Sequence, residues 1–267
     1  MRVGLISDVH ANLPALKAVM RSMDEQGVDQ ILVAGDLVGY GAQPNECVET
    51  LVHAGARSVA GNHDLFVMDR LPPTRFPALA RRSAELARSL LTSDVREVLG
   101  SLPLRLQFAD ALVTHGSLDS PEEYVRQPSR ARQLLERLPL EAAGVRTLVL
   151  GHTHHQWCVL GANPVHARGT VHLSGRRLLN PGSVGQSRQR ERRPRARFAI
   201  YDVEAGSATF LAVNYDVAAA SDALRRQGLP DRCLHAPPQL RSYVVRLVGS
   251  SLPEGLRGNL AGHHPRK

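Results

Sequence analysis

Short apolar runs and helical spacings take turns along the N-terminal third of the chain. Residues 3–7 form a brief apolar run, and Leu16, Val19, Met20 and Met23 then recur at the spacing of one helix face. Asn12 stands just ahead of Pro14, an N-cap followed by a proline suited to a first turn, and Gly27 ends that helix. A second run, Ile31-Leu32-Val33-Ala34, leads into Gly35-Asp36. A second helix is expected over 45–54, and Ser58-Val59-Ala60 leads into Gly61-Asn62-His63-Asp64. This βαβαβ order predicts a parallel sheet laid down by right-handed crossovers.

Pro72, Pro73 and Pro77 interrupt the rhythm. Residues 78–91 and 93–99 then read as helices, making 71–102 a cap-like helical segment. A hairpin over 104–108 and 111–114 should turn about Ala109-Asp110, followed by a helix near 130–138 and an apolar strand over 147–150. Short strands near 171–173, 198–203 and 209–213 predict a second, mostly antiparallel sheet. The fold class expected is therefore α/β, a four-layer α/β/β/α sandwich of two mixed sheets flanked by helices. One more helix is expected over 221–228. From 231 to 267, Pro, Gly, Arg and His accumulate with little apolar rhythm, so a domain over 1–230 should be followed by a weakly ordered appendage, with one short strand at Tyr243-Val244-Val245.

Composition narrows the setting. A chain of 267 residues with 43% hydrophobic content can bury a sizeable core. Met1 runs straight into the first apolar run with no signal-like leader, and no apolar stretch is long enough to span a bilayer. Cys47, Cys158 and Cys233 lie far apart with no CxxC pair, which points to a reducing cytoplasm. The formal charge of +8 comes mainly from arginine, and Arg188, Arg190, Arg192, Arg193, Arg195 and Arg197 crowd one segment interrupted by Glu191. That segment reads either as a solvated loop or as a rim for an anionic substrate, since guanidinium groups bind phosphate bidentately. One basic loop is a thin footprint for a nucleic acid, and no such partner is expected.

Five clusters carry chemistry: Asp8-Val9-His10, Gly35-Asp36-Leu37-Val38-Gly39, Gly61-Asn62-His63-Asp64, His115-Gly116 and Gly151-His152-Thr153-His154. Each follows or ends an expected strand, where open α/β sheets place their ligand sites. In an extended segment residues two apart point the same way, so Asp8 with His10, and His152 with His154, should each aim two ligands at one point. Asp36, Asn62 and His115 complete a sulfur-free nitrogen and oxygen set suited to manganese, iron, zinc, nickel or cobalt. Seven ligands exceed the needs of one ion. A carboxylate shared between two divalent ions accounts for the number, and paired metals suit phosphoryl transfer.

In their order, the DxH, GDxxG, GNHD, lone His and GHTH blocks resemble those of the calcineurin-like metallophosphoesterases, over about residues 2–212. The closer likeness is to the compact bacterial phosphodiesterase subgroup, through Asn12, the loop Val38-Gly39-Tyr40-Gly41 and the stretch Asn180-Pro181-Gly182-Ser183-Val184-Gly185-Gln186. The resemblance implies that Asp8, His10 and His154 hold one metal, that Asn62, His115 and His152 hold the other, and that Asp36 bridges them. It implies manganese as the first choice of metal and a metal-bridging hydroxide as nucleophile. His63 would stay unbound, facing the substrate phosphate as general acid or as a stabiliser of transition-state charge, with Asp64 orienting it. Asn12, Asn180 and Arg188 are the candidates for substrate contact. His155 is left out, because in an extended segment it points away from its neighbours. The implied activity is hydrolysis of a small or nucleotide-like phosphodiester. A phosphomonoesterase or protein phosphatase is the alternative, and a non-catalytic binding scaffold is the alternative of another class. Oligomeric state is left open by the sequence.

Overall fold

The N-terminal rhythm forms as its pattern predicts. β1 (Arg2–Ile6), β2 (Gln30–Val33) and β3 (Arg57–Ser58) lie parallel, with Leu5 opposite Leu32 and Val33 opposite Ser58. α1 (Leu13–Glu25) and α2 (Pro44–His53) connect them. The Asn12 side chain accepts a hydrogen bond from the Ala15 N–H at 3.2 Å, capping α1, whose Leu16, Val19 and Met23 turn into the core. The computed structural model describes residues 1–72, 76–161, 163–165 and 167–237.

One helix escapes the apolar pattern. α3 (Asn62–Val67) begins inside the GNHD block, so that block opens a helix as well as following a strand. α4 (Ala78–Leu90), α5 (Ser93–Ser101), the hairpin of β4 (Arg105–Phe108) and β5 (Ala111–Thr114), α6 (Pro128–Glu141) and β6 (Thr147–Val149) then follow close to expectation. Three further strands have no counterpart in the pattern: β7 (Gln156–Leu160), β8 (Asn163–Val165) and β10 (Arg177–Pro181). β9 (Gly169–His172), β11 (Ala196–Asp202), β12 (Ser207–Val213) and α7 (Val217–Arg226) complete the order.

The two sheets have six strands each, ordered β3-β2-β1-β11-β12-β9 and β4-β5-β6-β10-β7-β8. This corrects the expected partition. The strands near 171, 198 and 209 do not build a second sheet. They extend the first one, because β11 pairs antiparallel with β1, Val3 opposite Tyr201 and Leu5 opposite Ala199. The second sheet grows instead from the β4–β5 hairpin through the parallel pairs β5–β6 and β6–β10.

Strand alternation sorts the side chains into layers. Val3, Leu5 and Leu32 from the first sheet meet Val113, Val149 and Leu179 from the second in a core between the sheets. Ile6 and Val33 face the other way, onto a cluster with Leu16 and Val19 of α1 and Ala80 and Ala84 of α4. Leu112, Leu148 and Leu178 pack beneath Leu134 and Leu138 of α6. The result is the four-layer α/β/β/α sandwich.

Past residue 230 a short 3-10 turn, Asp231–Cys233, buries Cys233 and Leu234 in the first helix layer. The Ser187 N–H donates to the Leu234 carbonyl at 2.9 Å. Most of the expected C-terminal appendage, including Tyr243-Val244-Val245, lies outside the described residues. Among the described residues no helix is long and apolar enough to cross a membrane.

Candidate metal centre

The motif residues gather at one edge, where strands of both sheets end. Asp8 and His10 follow β1, Asp36 follows β2, Asn62 and His63 open α3, His115 follows β5, and His152 and His154 follow β6. Main-chain hydrogen bonds continue past the strands and stitch these loops together. The Asp8 N–H donates to the Gly35 carbonyl at 3.0 Å, the His10 N–H to Asp36 at 3.0 Å, and the Gly151 N–H to His115 at 2.8 Å. The first sheet is tied to the second where the Val184 N–H donates to the Ser7 carbonyl at 3.0 Å and the His152 N–H to Asp8 Oδ2 at 3.0 Å.

Convergence is achieved differently from the extended alternation expected. Asp8 (φ 54°), His10 (48°), Asp36 (57°), His152 (64°) and His154 (60°) are all left-handed. L-residues pay about 1–2 kcal/mol each for that region. Backbone held so far from its preference persists only where the surroundings over-determine it, which the cross-loop bonds do here.

Asp8, His10 and His154 bring ligand atoms within 4.8 Å of one another, as do Asp36, His115 and His152. Asp36 Oδ2 faces both groups, 3.8 Å from His10 Nε2 and 3.2 Å from His115 Nε2. Asn62 Oδ1 lies 3.0 Å from His115 Nε2 and joins the second group. The seven predicted ligands thus come together, with Asp36 between two sets. His10, Asp36 and His63 form a third close group, so His63 sits beside the ligands rather than apart from them.

Hydrogen bonds behind the rings settle which nitrogen faces inward. His10 Nδ1 lies 3.2 Å from the Val38 carbonyl, His115 Nδ1 2.7 Å from Ala34 and His154 Nδ1 2.8 Å from Gln186. A carbonyl only accepts, so each Nδ1 carries a proton and each Nε2 faces inward; burial lowers His10 and His154, so their Nε2 atoms present lone pairs. His152 is reversed, with Nε2 3.1 Å from the Glu122 carbonyl and Nδ1 left for the centre.

This donor set fits a divalent metal. The inward Nε2 atoms of His10 and His154 stand only 3.2 Å apart, two lone pairs with no proton to share. Asp8 Oδ1 is fully buried and accepts no hydrogen bond among the described residues, although His154 Nε2 is 3.1 Å away. Buried acceptors turned on one another repel unless a cation lies among them. Charge follows the same logic. Burial alone would lower the His115 imidazolium, but the Asp36 carboxylate outweighs it and raises the group to about 9, so a proton on the inward Nε2 answers the same buried negative charge that a metal cation would. Burial lowers His152 to about 3, leaving it a neutral ligand.

The structure places the remaining candidates unevenly. His63 is buried, and burial lowers it to about 4. Its Nδ1 has no hydrogen-bond partner among the described residues. The expected Asp64–His63 pair does not form. Asp64 spends its carboxylate on the backbone, accepting from Asp36 N–H at 2.9 Å, Gly61 N–H at 2.9 Å and Val38 N–H at 3.1 Å. It therefore fixes the Asp36 loop, not the imidazole. What surrounds the His63 ring is aromatic: Tyr40 at 4.7 Å, His10 at 4.9 Å and Phe76 at 5.3 Å between centroids. Gly39 (φ 85°) closes the pocket, since a Cβ there would come 2.4 Å from His63 Nδ1.

Asn12 and Asn180 both make hydrogen bonds within the protein. Besides capping α1, Asn12 donates to the Gly185 carbonyl at 2.9 Å. Asn180 donates to the Gly151 carbonyl at 2.7 Å and Thr153 Oγ1 at 3.1 Å, and accepts from the Gly182 N–H at 3.0 Å. Both are buried and tie loops together, leaving little to offer a substrate. Arg188 remains. Its guanidinium reaches Gln186 Oε1 at 3.2 Å and the Tyr124 hydroxyl at 3.4 Å, and its charge acts on His63 and His154. Arg195 and Arg197, by contrast, are held by Glu191, the latter at 2.8 Å. No motif marks Tyr124, whose ring stacks on His152 at 3.9 Å, or Arg126, 4.3 Å from the centre of the Tyr124 ring. Tyr40 lay in a quoted motif without a role.

Such a site, at the shared edge of a four-layer sandwich, defines a metal-dependent phosphoesterase. The chain belongs to the calcineurin-like phosphoesterase superfamily, whose domain model matches residues 1–206. A metallophosphoesterase structure from Sphaerobacter thermophilus is 36% identical, with a TM-score of 0.74 over 88% of this chain and 96% of that one. The hypothetical protein PH1004 of Pyrococcus horikoshii shares the fold at 19% identity, with a TM-score of 0.71 over 87% and 96% of the two chains. An uncharacterized protein of Methanocaldococcus jannaschii, MJ0912, is 29% identical over 238 residues, 86% of this chain and 94% of its own.

Proposed function

We propose that this protein is a phosphodiesterase that works with two divalent transition-metal ions, manganese first, on a small or nucleotide-like ester. The observation that carries the reading is Asp36 Oδ2, a single oxygen facing two sets of inward ligands. Asp8, His10 and His154 would hold one ion, Asn62, His115 and His152 the other, and Asp36 both. When bound, such ions supply Lewis acidity, neutralising charge on the phosphate and activating a water nucleophile.

The chain's own residues supply the rest. Arg188 is the guanidinium whose field reaches the centre, and it would orient the phosphate undergoing attack. Burial keeps the His63 ring neutral, which favours hydrogen-bond stabilisation of developing charge over donation from an imidazolium. Tyr40 and Phe76 beside His63 form an aromatic wall suited to the organic group that a diester carries and a monoester lacks. Cys47, Cys158 and Cys233 are buried free thiols, in keeping with a reducing cytoplasm as the place of action.

The test combines metal analysis with a hydrolysis screen. Full-length protein reconstituted with manganese should carry two ions per chain and favour an aryl diester over the matching monoester in kcat/KM. His63→Ala should keep both ions and lose about a hundredfold or more in turnover. A single ion per chain would remove the paired-metal reading, and a monoester preference would remove the diester.

A further inference from the structure

The stretch between β10 and β11 is locked to the loop of Asp8. The Gly185 N–H donates to the Asp8 carbonyl at 2.9 Å, and a Cβ on Gly185 would stand 1.9 Å from the Val9 carbonyl. Ser183 Oγ donates to that same Asp8 carbonyl at 2.9 Å and accepts from the Gln186 N–H at 2.9 Å. Gln186, only 2% exposed, then makes three further contacts. Its main-chain carbonyl accepts from His154 Nδ1 at 2.8 Å. Its side-chain Oε1 accepts from Arg188 Nε at 3.3 Å and Nη2 at 3.2 Å. Its Nε2 donates to the Arg232 carbonyl at 3.2 Å.

A guanidinium only donates and a carbonyl only accepts, so a single orientation of the Gln186 amide satisfies both neighbours. Turned over, it would set donors against the guanidinium and its oxygen against the carbonyl. The backbone around Arg188 is braced on two sides. From one side the Leu234 carbonyl accepts from the Ser187 N–H at 2.9 Å, the Ala236 N–H donates to the Ser187 carbonyl at 2.9 Å, and His235 Nε2 donates to the Gln189 carbonyl at 3.0 Å. These bonds, like that of Arg232, come from residues 232–236, past the end of the matched family domain at residue 206. On the other side Glu191 accepts from Ser187 Oγ, and from Arg197 Nη1 at 2.9 Å. Gln186 then fixes the head of the Arg188 side chain, whose charge acts on Asp8 and His154. A long side chain held in advance gives up less rotamer freedom on meeting a ligand, so affinity rises without a new contact.

We propose that Gln186 is a positioning residue for phosphate binding that acts through Arg188: its Oε1 holds the guanidinium toward the metal centre, and its Nε2, tied to the Arg232 carbonyl, keeps the amide from turning over. One position thus serves a candidate metal ligand, His154, with its main chain and the substrate with its side chain. The inference rests on the reading of Arg188 as a phosphate contact, and the experiment separates the two.

The experiment is a double-mutant cycle on the manganese-loaded full chain with bis(p-nitrophenyl) phosphate. Arg188→Ala should raise KM about fiftyfold. Gln186→Met, close in volume and keeping the main-chain carbonyl but neither side-chain hydrogen bond, should raise it about tenfold, with kcat within about twofold and metal content unchanged. Added to Arg188→Ala, Gln186→Met should change KM by less than about twofold, because the residue acts through the guanidinium. A residue that merely holds the loop would raise KM by the same factor in both backgrounds, and that additivity would overturn the proposal. An unchanged KM in Gln186→Met, or loss of metal from it, would do the same. If Arg188→Ala itself leaves KM unchanged, the reading of Arg188 falls and takes the proposal with it. If the native protein does not turn the diester over, the phosphodiesterase reading falls alone, and calorimetry with inorganic phosphate reads the same cycle in Kd with the same factors expected. Phosphate that fails to bind, or that binds the native protein and every variant equally, would end the proposal.

Discussion

Two loops meet at His152, and they are held in place by different means. The loop over 7–11 owes its shape to backbone. Its left-handed residues are bonded main chain to main chain with the loop over 34–41, as where the Ala11 N–H meets the Leu37 carbonyl at 3.0 Å and the Gly41 N–H meets His10 at 3.0 Å. The loop over 116–127 is held largely by side-chain ion pairs near the surface, Arg130 and Arg137 on Asp119 and Glu123. Main-chain bonds in a buried site are insensitive to salt and to single side-chain changes. Exposed ion pairs are worth little individually and are screened. The candidate ligands Asp8 and His10 are fixed by the first device, and the loop packed on His152 by the second.

Asp36→Ala should produce the largest break in that contrast. It removes the oxygen shared by both ligand sets, so both metal occupancies should fall and kcat/KM should drop about a thousandfold or more, as read by metal analysis and steady-state rates. Next comes Glu191→Gln, which strips the partner from Arg197, a side chain only 6% exposed. The expected loss is about 1–3 kcal/mol of stability by denaturant unfolding at neutral pH.

The pH dependence of that loss has a defined sign. Burial would raise the Glu191 carboxyl, but hydrogen bonds from Arg197 and Ser187 outweigh it and lower it to about 2. An unfolded glutamate titrates near about 4.3. The stabilisation is therefore complete above that value and disappears as the pH falls through about 2, so the melting curves of native protein and Glu191→Gln should converge in acid.

Gly39→Ala tests backbone control directly. A left-handed alanine at φ 85° should cost about 1–2 kcal/mol, and its Cβ would push against His63. Turnover should fall while metal content holds, and unchanged turnover would show that the His63 position tolerates movement. The smallest effect is expected from Arg130→Gln. Global stability should stay near native, with faster amide exchange confined to residues 117–127, and high salt should reproduce that local change in the native protein.

The gathering of the seven candidate ligands was legible because each motif ends a strand whose apolar run is easy to see, and because Asp, His and Asn in that order have few other uses together. The reason assigned to the convergence was not legible, since left-handed backbone at His10 or His154 leaves no mark in residue type. The hydrogen bonding of Asp64, Asn12 and Asn180 was not legible, for a shared physical reason. A polar side chain beside a metal site serves either to bind substrate or to hold loops, and sequence cannot count its hydrogen bonds. The sheet partition failed because strand pairing is a long-range choice: the pattern shows that residues 196–202 are a strand, but not that β1 is the neighbour. Tyr124 and Arg126 carry no motif at all and become visible only when His152 is placed beneath them.

The left-handed ligands have a consequence for anyone wishing to move this centre to another scaffold. Copying the DxH and HTH spacings onto an ordinary strand end would reproduce the letters and splay the donors, because an extended chain cannot turn those side chains inward as this one does. The transferable part is the laced pair of loops, 7–11 with 34–41, together with the glycine at position 61, where any Cβ would collide with Asp36 Oδ1 at 2.1 Å. A designer would have to graft a piece of backbone first and residues second.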